Sequence, residues 1–433
     1  MHVGIFTDSY APEISGVVAS IRTLKRALEE RGHTVFIFAP SNEAAAAEER
    51  VFRQPSMPVF FEKSLRICIG IRHGTLLAIK RCDLDVVHTQ TEFSIGVFGK
   101  IAAVVLDLPI VHTYHTMYKD YLHYLDRGAG HSRRDAALRQ LSSDMVRILS
   151  RDFCNSCDAV IAPTDKVRDL LVSYEVKSPI RVLPSGVGLE RFQAAARDPE
   201  ARRRVRVELG IDEGTPLVVF IGRVAKEKSI DMVLRAMSAL VGRLPGARLL
   251  VIGEGPERHA LEALALELCP PGSVIFAGSR PWAGIPAYYR AADVFVTASA
   301  TETQGLTVLE AMAAEIPVAA RQDPSFASMI EDGKDGLLFS NPEELTEALF
   351  RVLTDEALAQ ALVDAAGEKA KEYSAQAFGE KVEAVYAEAI RLKASARARR
   401  REFRKILPRA ISSRYLRLHR FFRKLTQWMR SGA

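Results

Sequence analysis

The residues best suited to chemistry lie in the stretch Thr297–Pro317, TASATETQGLTVLEAMAAEIP. The apolar run Val294-Phe295-Val296 just before it reads as a buried parallel strand. Beyond a short polar turn, Leu306, Leu309, Met312 and Ala313 recur at helical spacing. Gly305 marks the passage from turn to helix, so a ligand could approach the backbone there without meeting a Cβ. The unpaired N–H groups and positive dipole end of a helix start suit a phosphate. Glu302 precedes the helix and Glu310 follows it by eight positions. Mostly helical rise separates them by on the order of 10 Å, enough to put a carboxylate at each end of a ligand the size of a nucleotide-sugar. Taken alone, two glutamates on a helix more often form a solvated face.

Other clusters sit where strands are expected to end. Gly222-Arg223-Val224-Ala225-Lys226-Glu227-Lys228 follows the apolar run Leu217–Ile221, so Arg223 and Lys228 could converge on an anion. Scattered surface cations are the competing reading. Gly253-Glu254-Gly255-Pro256 follows a strand in the same way and reads as a turn shaping a pocket, or as a purely structural turn. Near the N-terminus, Gly16 opens a helix after the strand His2–Thr7; this turn would tolerate a phosphate but is not a G-x-G-x-x-G. His112 and His115 could suggest a metal pair, yet residues three apart on a strand point to opposite faces and no third ligand lies near. Asp83-Leu84-Asp85 immediately precedes a strand, which makes Asp85 a strand-entry residue and no metal ligand. Cys154-x-x-Cys157 lacks a second pair, and all five cysteines read as reduced thiols.

Glu302-Thr303-Gln304-Gly305-Leu306 with Glu310 and Pro317 resembles the E-x7-E motif of retaining, nucleotide-sugar-dependent glycosyltransferases of family 4, which have two Rossmann-like domains (GT-B). Arg223 and Lys228 match that family's G-R-x4-K. The resemblance covers about residues 1–390. The string HTYHTMYKDYLHY from His112, with Phe153–Ser156 and Ala162–Thr164, is most similar to the bacterial glucosyltransferases of 1,2-diacylglycerol. It implies a donor, UDP-glucose, bound by Gly16, Arg223, Lys228, Glu302, Thr303, Gln304, Gly305, Leu306 and Glu310. Arg223 and Lys228 would neutralise the diphosphate leaving group, Glu310 would hold the ribose, and Glu302 with His115 would hold the sugar hydroxyls. His115, Glu302, Arg223 and Lys228 are thus the expected catalytic group, with Asp8, Tyr114 and Tyr118 on the acceptor side. Neither a metal nor another cofactor is implied.

These residues need elements to carry them. Strands are expected at His2–Thr7, Thr34–Ala39, Asp85–His88, Pro109–His112, Ala159–Ala162 and Ile180–Leu183, with helices such as Gly16–Arg31 and Ser94–Leu106 between them. A second series begins after Arg197–Arg206: Leu217–Ile221, Ala247–Ile252, Val274–Ala277, Val294–Val296 and Pro317–Ala320. Such βα alternation predicts α/β architecture with two doubly wound parallel sheets facing a cleft. The expected domains are 1–187, with a crossing helix 375–392, and 188–374; residues 393–433 form a basic amphipathic tail.

At 433 residues and 48% apolar composition the chain can build two cores. No apolar run approaches the ~20 residues of a membrane span, and the first residues run straight into a strand pattern, so a cytosolic, peripheral location is expected. Charge is uneven. From Arg391 onward fifteen Lys and Arg face the single acid Glu402, a net +14 in a chain of net +6; residues 1–390 are therefore net −8. After Pro408 the positions Ile411, Tyr415, Leu418, Phe422, Leu425 and Met429 make one apolar stripe, with arginines on the other side and Trp428 beside it. That pattern suits an anionic membrane surface. A helix docked on the protein itself is the bland alternative, and no nucleic-acid module accompanies the basic tail. The leading expectation is transfer of glucose from UDP-glucose to diacylglycerol. Competing readings are a same-fold hexosyltransferase with another donor, such as GDP-mannose, acting on phosphatidylinositol or a soluble acceptor, and a catalytically silent lipid- or nucleotide-binding scaffold.

Overall fold

A computed structural model of the chain describes residues 1–13, 15–59, 62–68, 73–117 and 133–406. Its strands are β1 (His2–Phe6), β2 (Thr34–Pro40), β3 (Val51–Gln54), β4 (Ser56–Val59), β5 (Glu62–Cys68), β6 (Val86–Thr89), β7 (Ile110–Thr113), β8 (Ala159–Ala162) and β9 (Ile180–Val182). They are followed by β10 (Leu217–Ile221), β11 (Arg248–Ile252), β12 (Val274–Gly278), β13 (Val294–Thr297), β14 (Val318–Arg321) and β15 (Leu337–Phe339). Two compact units result. One comprises Met1–Ala162, Arg168–Leu183 and the chain from Gly379; the other comprises Pro163–Val167 and Pro184–Phe378.

The first unit holds a seven-stranded parallel sheet in the order β3-β2-β1-β6-β7-β8-β9. The second holds a six-stranded parallel sheet, β12-β11-β10-β13-β14-β15. Both are Rossmann-like. Parallel strands covered on both faces read as continuous apolar runs, and β10, LVVFI, is buried throughout. Each such Val, Leu or Ile contributes about 1.5–3 kcal/mol on full burial. The chain order reverses between β1 and β6 in one sheet and between β10 and β13 in the other, and ligands of open α/β sheets bind beyond the carboxyl ends at such points. The loops after those four strands carry most of the expected site.

Four strands escape the sequence reading. β3, β4 and β5 contain Arg53, Pro58, Glu62 and Arg66 in place of an apolar run; β4 and β5 pair as a separate antiparallel hairpin. β15 is three residues long. The C-terminal helix also differs from expectation. It runs unbroken from Ala375 to Ile406 and does not stop at Leu392, because no Gly or Pro interrupts its Ala- and Arg-rich continuation. Within the first unit it packs so close to the helix Gly16–Glu30 that a Cβ on Gly379 would lie 2.8 Å from the Ala27 Cβ. Arg31 and Arg181 pair with its Glu383 and Glu388. The amphipathic tail after 406 lies outside the described residues. Among the described residues no helix is long and apolar enough to cross a membrane. Cys154 and Cys157 are buried free thiols, and burial pushes the Cys157 thiol up to about 12.

Candidate active site

In the second unit, β13 delivers the chain to the turn 298–305, and neighbouring segments hold that turn at three successive residues. The carbonyl of Glu302 accepts from the Ser325 hydroxyl (2.6 Å) and the Lys166 ammonium (3.3 Å). The carbonyl of Thr303 accepts from the Thr164 hydroxyl (2.9 Å). The amide of Gln304 is spent on Ser185, accepting from its N–H (2.8 Å) and donating to its carbonyl (2.9 Å). Lys166 is itself fixed by Asp323, 3.0 Å from each carboxylate oxygen. Asp323 also caps the short helix Pro324–Ala327 by accepting from the Ser325 N–H. Sequence reasoning missed Lys166, Asp323, Ser325 and Ser185. Only the Asp-Pro-Ser cap carries a sequence signal, and it does not say what the cap supports.

The fixed backbone aims the Glu302 carboxylate at Lys228, which donates to it directly. Burial pushes the Glu302 carboxyl up, but the Lys228 charge and hydrogen bond, the Ser299 hydroxyl and the Lys166 charge together hold it below the usual carboxylate range. Glu302 is therefore an anion at neutral pH. Lys228 ends a one-turn helix, Lys226–Lys228, stopped by Ser229 at φ 48°. Arg223 is exposed at the carboxyl end of β10.

Gly305 adopts φ 83°, and a Cβ there would lie 2.4 Å from Phe326. Its missing side chain is thus required by backbone geometry and by packing against Phe326. Leu306 begins the helix Leu306–Ala313 and packs against the unit's core. One turn on, the Glu310 carboxylate accepts from the buried Tyr289 hydroxyl (3.0 Å), which it shares with the Thr307 carbonyl (3.2 Å). Burial raises the Glu310 carboxyl, outweighing the Arg191 charge and the Tyr289 hydrogen bond.

The Gly253-Glu254-Gly255 turn has a clear structural basis. A Cβ on Gly253 would sit 1.8 Å from the Gly222 carbonyl oxygen, and one on Gly255 2.1 Å from that of Val224. The loops after β10 and β11 lie backbone against backbone, joined by Gly222 N–H to Ile252 O (2.9 Å) and Val224 N–H to Glu254 O (3.0 Å).

In the first unit, Asp8 follows β1 and is buried. Its carboxylate accepts from the hydroxyls of Thr91 and Ser94 and from the N–H groups of Ile95 (2.9 Å) and Gly96 (3.4 Å). It caps the helix Ser94–Leu106, whose own N-cap, Phe93, cannot do so. Gly16 is exposed at the first position of its helix, capped by Ser15. Tyr114 is buried and hydrogen-bonded to Ser150 (3.0 Å); Tyr118 lies outside the described residues. Asp85 accepts from the His2 N–H at the start of β1 (2.7 Å). His115 follows β7, with Nε2 2.6 Å from the Gln90 side-chain oxygen. His112 instead pairs with Thr89 and, at 3.0 Å, with Glu92.

Two family profiles match the chain: Glycosyltransferase Family 4 over residues 14–191 and Glycosyl transferases group 1 over residues 201–398. It is 38% identical over 392 residues to the alpha-monoglucosyldiacylglycerol synthase of Streptococcus pneumoniae, covering 90% of this chain and 86% of that one. The chain belongs to the family 4 glycosyltransferases. A second alpha-monoglucosyldiacylglycerol synthase, from Acholeplasma laidlawii, is 32% identical and covers 90% of this chain and 98% of its own. Among solved structures, Anabaena Alr3699/HepE in complex with UDP shares the fold at TM-score 0.70 and 16% identity, covering 89% of this chain and 100% of that one. Sucrose-phosphate synthase of Thermosynechococcus elongatus does so at 0.68 and 21%, covering 89% and 98%. These neighbours have the GT-B architecture expected from the E-x7-E stretch. This family 4 enzyme is a nucleotide-sugar-dependent glycosyltransferase. Its E-x7-E stretch is held by side chains from four other segments.

Proposed function

We propose that this glycosyltransferase moves glucose from UDP-glucose to the free hydroxyl of 1,2-diacylglycerol, with retention, giving monoglucosyldiacylglycerol at a membrane surface. The observation that carries the reading is the similarity, along nine-tenths of the chain, to two alpha-monoglucosyldiacylglycerol synthases. The geometry supports assigned roles. Arg223 and Lys228 bind the donor diphosphate and offset the charge that grows on it as the bond to the sugar breaks. Glu302 aims Lys228 through their direct hydrogen bond and accepts from a sugar hydroxyl. Glu310 accepts from the ribose hydroxyls, Gly16 and the backbone from Thr303 to Leu306 border the donor, and Gln304 holds that backbone through Ser185. His115 meets the sugar; Asp8, through the helix it caps, and Tyr114 and Tyr118 belong to the acceptor side. The new bond forms on the face that the diphosphate leaves, and a departing phosphate oxygen takes the acceptor's proton. The basic tail holds the enzyme at an anionic membrane surface, on its cytosolic side.

The test is transfer of labelled glucose from UDP-glucose to diacylglycerol in anionic vesicles, with soluble acceptors in parallel. Labelled glycolipid formed with the vesicles alone supports the reading. Transfer only to a soluble acceptor, or only from another donor, overturns it. Glu302→Gln should lower turnover by roughly tenfold or more in a protein with unchanged circular dichroism.

A further inference from the structure

Gln90 stands between two histidines and touches both. Its side-chain oxygen is 2.6 Å from His115 Nε2, and its side-chain nitrogen is 3.0 Å from His88 Nε2. His88 continues the chain, with Nε2 2.7 Å from the Thr113 hydroxyl and Nδ1 2.7 Å from the Tyr386 hydroxyl on the C-terminal helix. Gln90, His88 and Tyr386 are buried, at 2%, 1% and 0% exposure, so this polar line runs through the core of the first unit and had to be satisfied there.

The protons can be assigned by what each group is able to do. An amide oxygen only accepts, so His115 places its proton on Nε2. The Gln90 NH₂ and the Thr113 hydroxyl both donate to His88 Nε2, which carries a lone pair, so the His88 proton sits on Nδ1 and is given to Tyr386. We propose that Gln90 is a positioning residue that locks His115 as the neutral Nε2–H tautomer, leaving Nδ1 as an acceptor for a hydroxyl of the donor sugar. This rests on the role proposed above for His115. Among the described residues nothing else bonds Nδ1. A base-like nitrogen in a fixed direction favours a hydroxyl donor and rejects a group without one. Burial, and to a lesser extent His112, hold His115 far below the usual imidazole range, at about 3, so the neutral form persists throughout physiological pH.

Among the described residues, the titratable groups around His115 are His88, His112, Glu92 through its bond to His112, and Tyr386 through His88. None supplies a carboxylate directly to His115 Nε2. Gln90→Glu would, and a carboxylate there favours the imidazolium. Turnover of that variant should then fall at least fivefold as pH drops from 8 to 6 and recover as pH rises; the wild type gains no such limb from this residue. Nitrogen-15 spectra of the full-length protein, with the His115 signal identified by its loss in His115→Ala, read the tautomer without needing activity. A pyrrole-type Nε2 and pyridine-type Nδ1 in the wild type, lost or mixed in Gln90→Leu, support the lock. A protonated Nδ1 in the wild type, or a Gln90→Leu spectrum like the wild type's, overturns it while His115→Ala stays inactive. Wild-type turnover in His115→Ala overturns instead the role of His115, and the purpose of the lock with it.

Discussion

Glu302 and Glu310 come from one motif and sit in opposite electrostatic situations. Glu302 meets an ammonium, whereas Glu310 meets a phenol and is held above the usual carboxylate range by burial. A carboxyl raised in the folded state costs stability wherever it is ionised. That cost is complete above its folded value and vanishes below the ordinary carboxylate value, where both states are protonated. Glu310→Gln keeps an oxygen for Tyr289 and removes the charge. We predict a higher Tm than the wild type at pH 7–8, with the difference shrinking as pH falls through the carboxylate range. On the ribose-binding role proposed for Glu310, loss of a charged acceptor is worth about 1.5–3 kcal/mol, so KM for the donor should rise roughly tenfold to a hundredfold. Thermal scans across pH, paired with donor titration, check both halves; equal Tm values at pH 7–8 would refute the first. This balance was not legible in the spacing of the two acids. A sequence places Glu310 on a helix but does not say that Tyr289, twenty-one residues earlier, lies under it.

At the scale of elements, the βα alternation was readable because continuous apolar runs closed by glycine-marked turns rarely arise outside buried parallel strands. The hairpin β4–β5 was not, since its charged alternation resembles a loop. The glycine turns show a limit of another kind. Gly253-Glu254-Gly255 was legible as a turn, but its physical reason is the neighbouring loop's backbone, which no local pattern reports. Gly255→Ala must push the Gly222–Val224 segment aside, and with it the loop that bears Arg223 and Lys228. We expect a loss of about 3 kcal/mol in urea unfolding and a fall in turnover. Gly272→Ala is the control: its φ is also positive, at 80°, yet a Cβ there meets nothing within 4 Å. It should cost only the ~1–2 kcal/mol of the left-handed conformation and leave turnover intact. Equal losses for the two substitutions would mean that the loop-to-loop contact contributes nothing.

At the scale of the whole molecule the decisive property is the separation of charge. Residues 1–390 are net −8 and would be repelled by an anionic surface that the remainder, net +14, is drawn to. The helix Ala375–Ile406 bears eight of the fifteen terminal cations; the other seven, and no acid, follow Ile406. Each basic residue near an anionic surface contributes about 1 kcal/mol, and the contribution decays over a Debye length of about 8 Å at physiological salt. Ending the chain after Ile406 therefore removes half of the attraction together with the apolar stripe. We predict that the truncated enzyme binds anionic vesicles at least a hundredfold more weakly, while its urea unfolding midpoint is unchanged because the described cores lie before that point. The full-length enzyme should lose vesicle binding steeply between low and high salt, and the truncated one should show a shallower slope. Turnover on diacylglycerol dispersed in neutral detergent should be the same for both, which separates loss of the surface from damage to the site. Equal vesicle binding by the two forms would assign the surface to the globular part and leave the tail's stripe to pack on the protein itself.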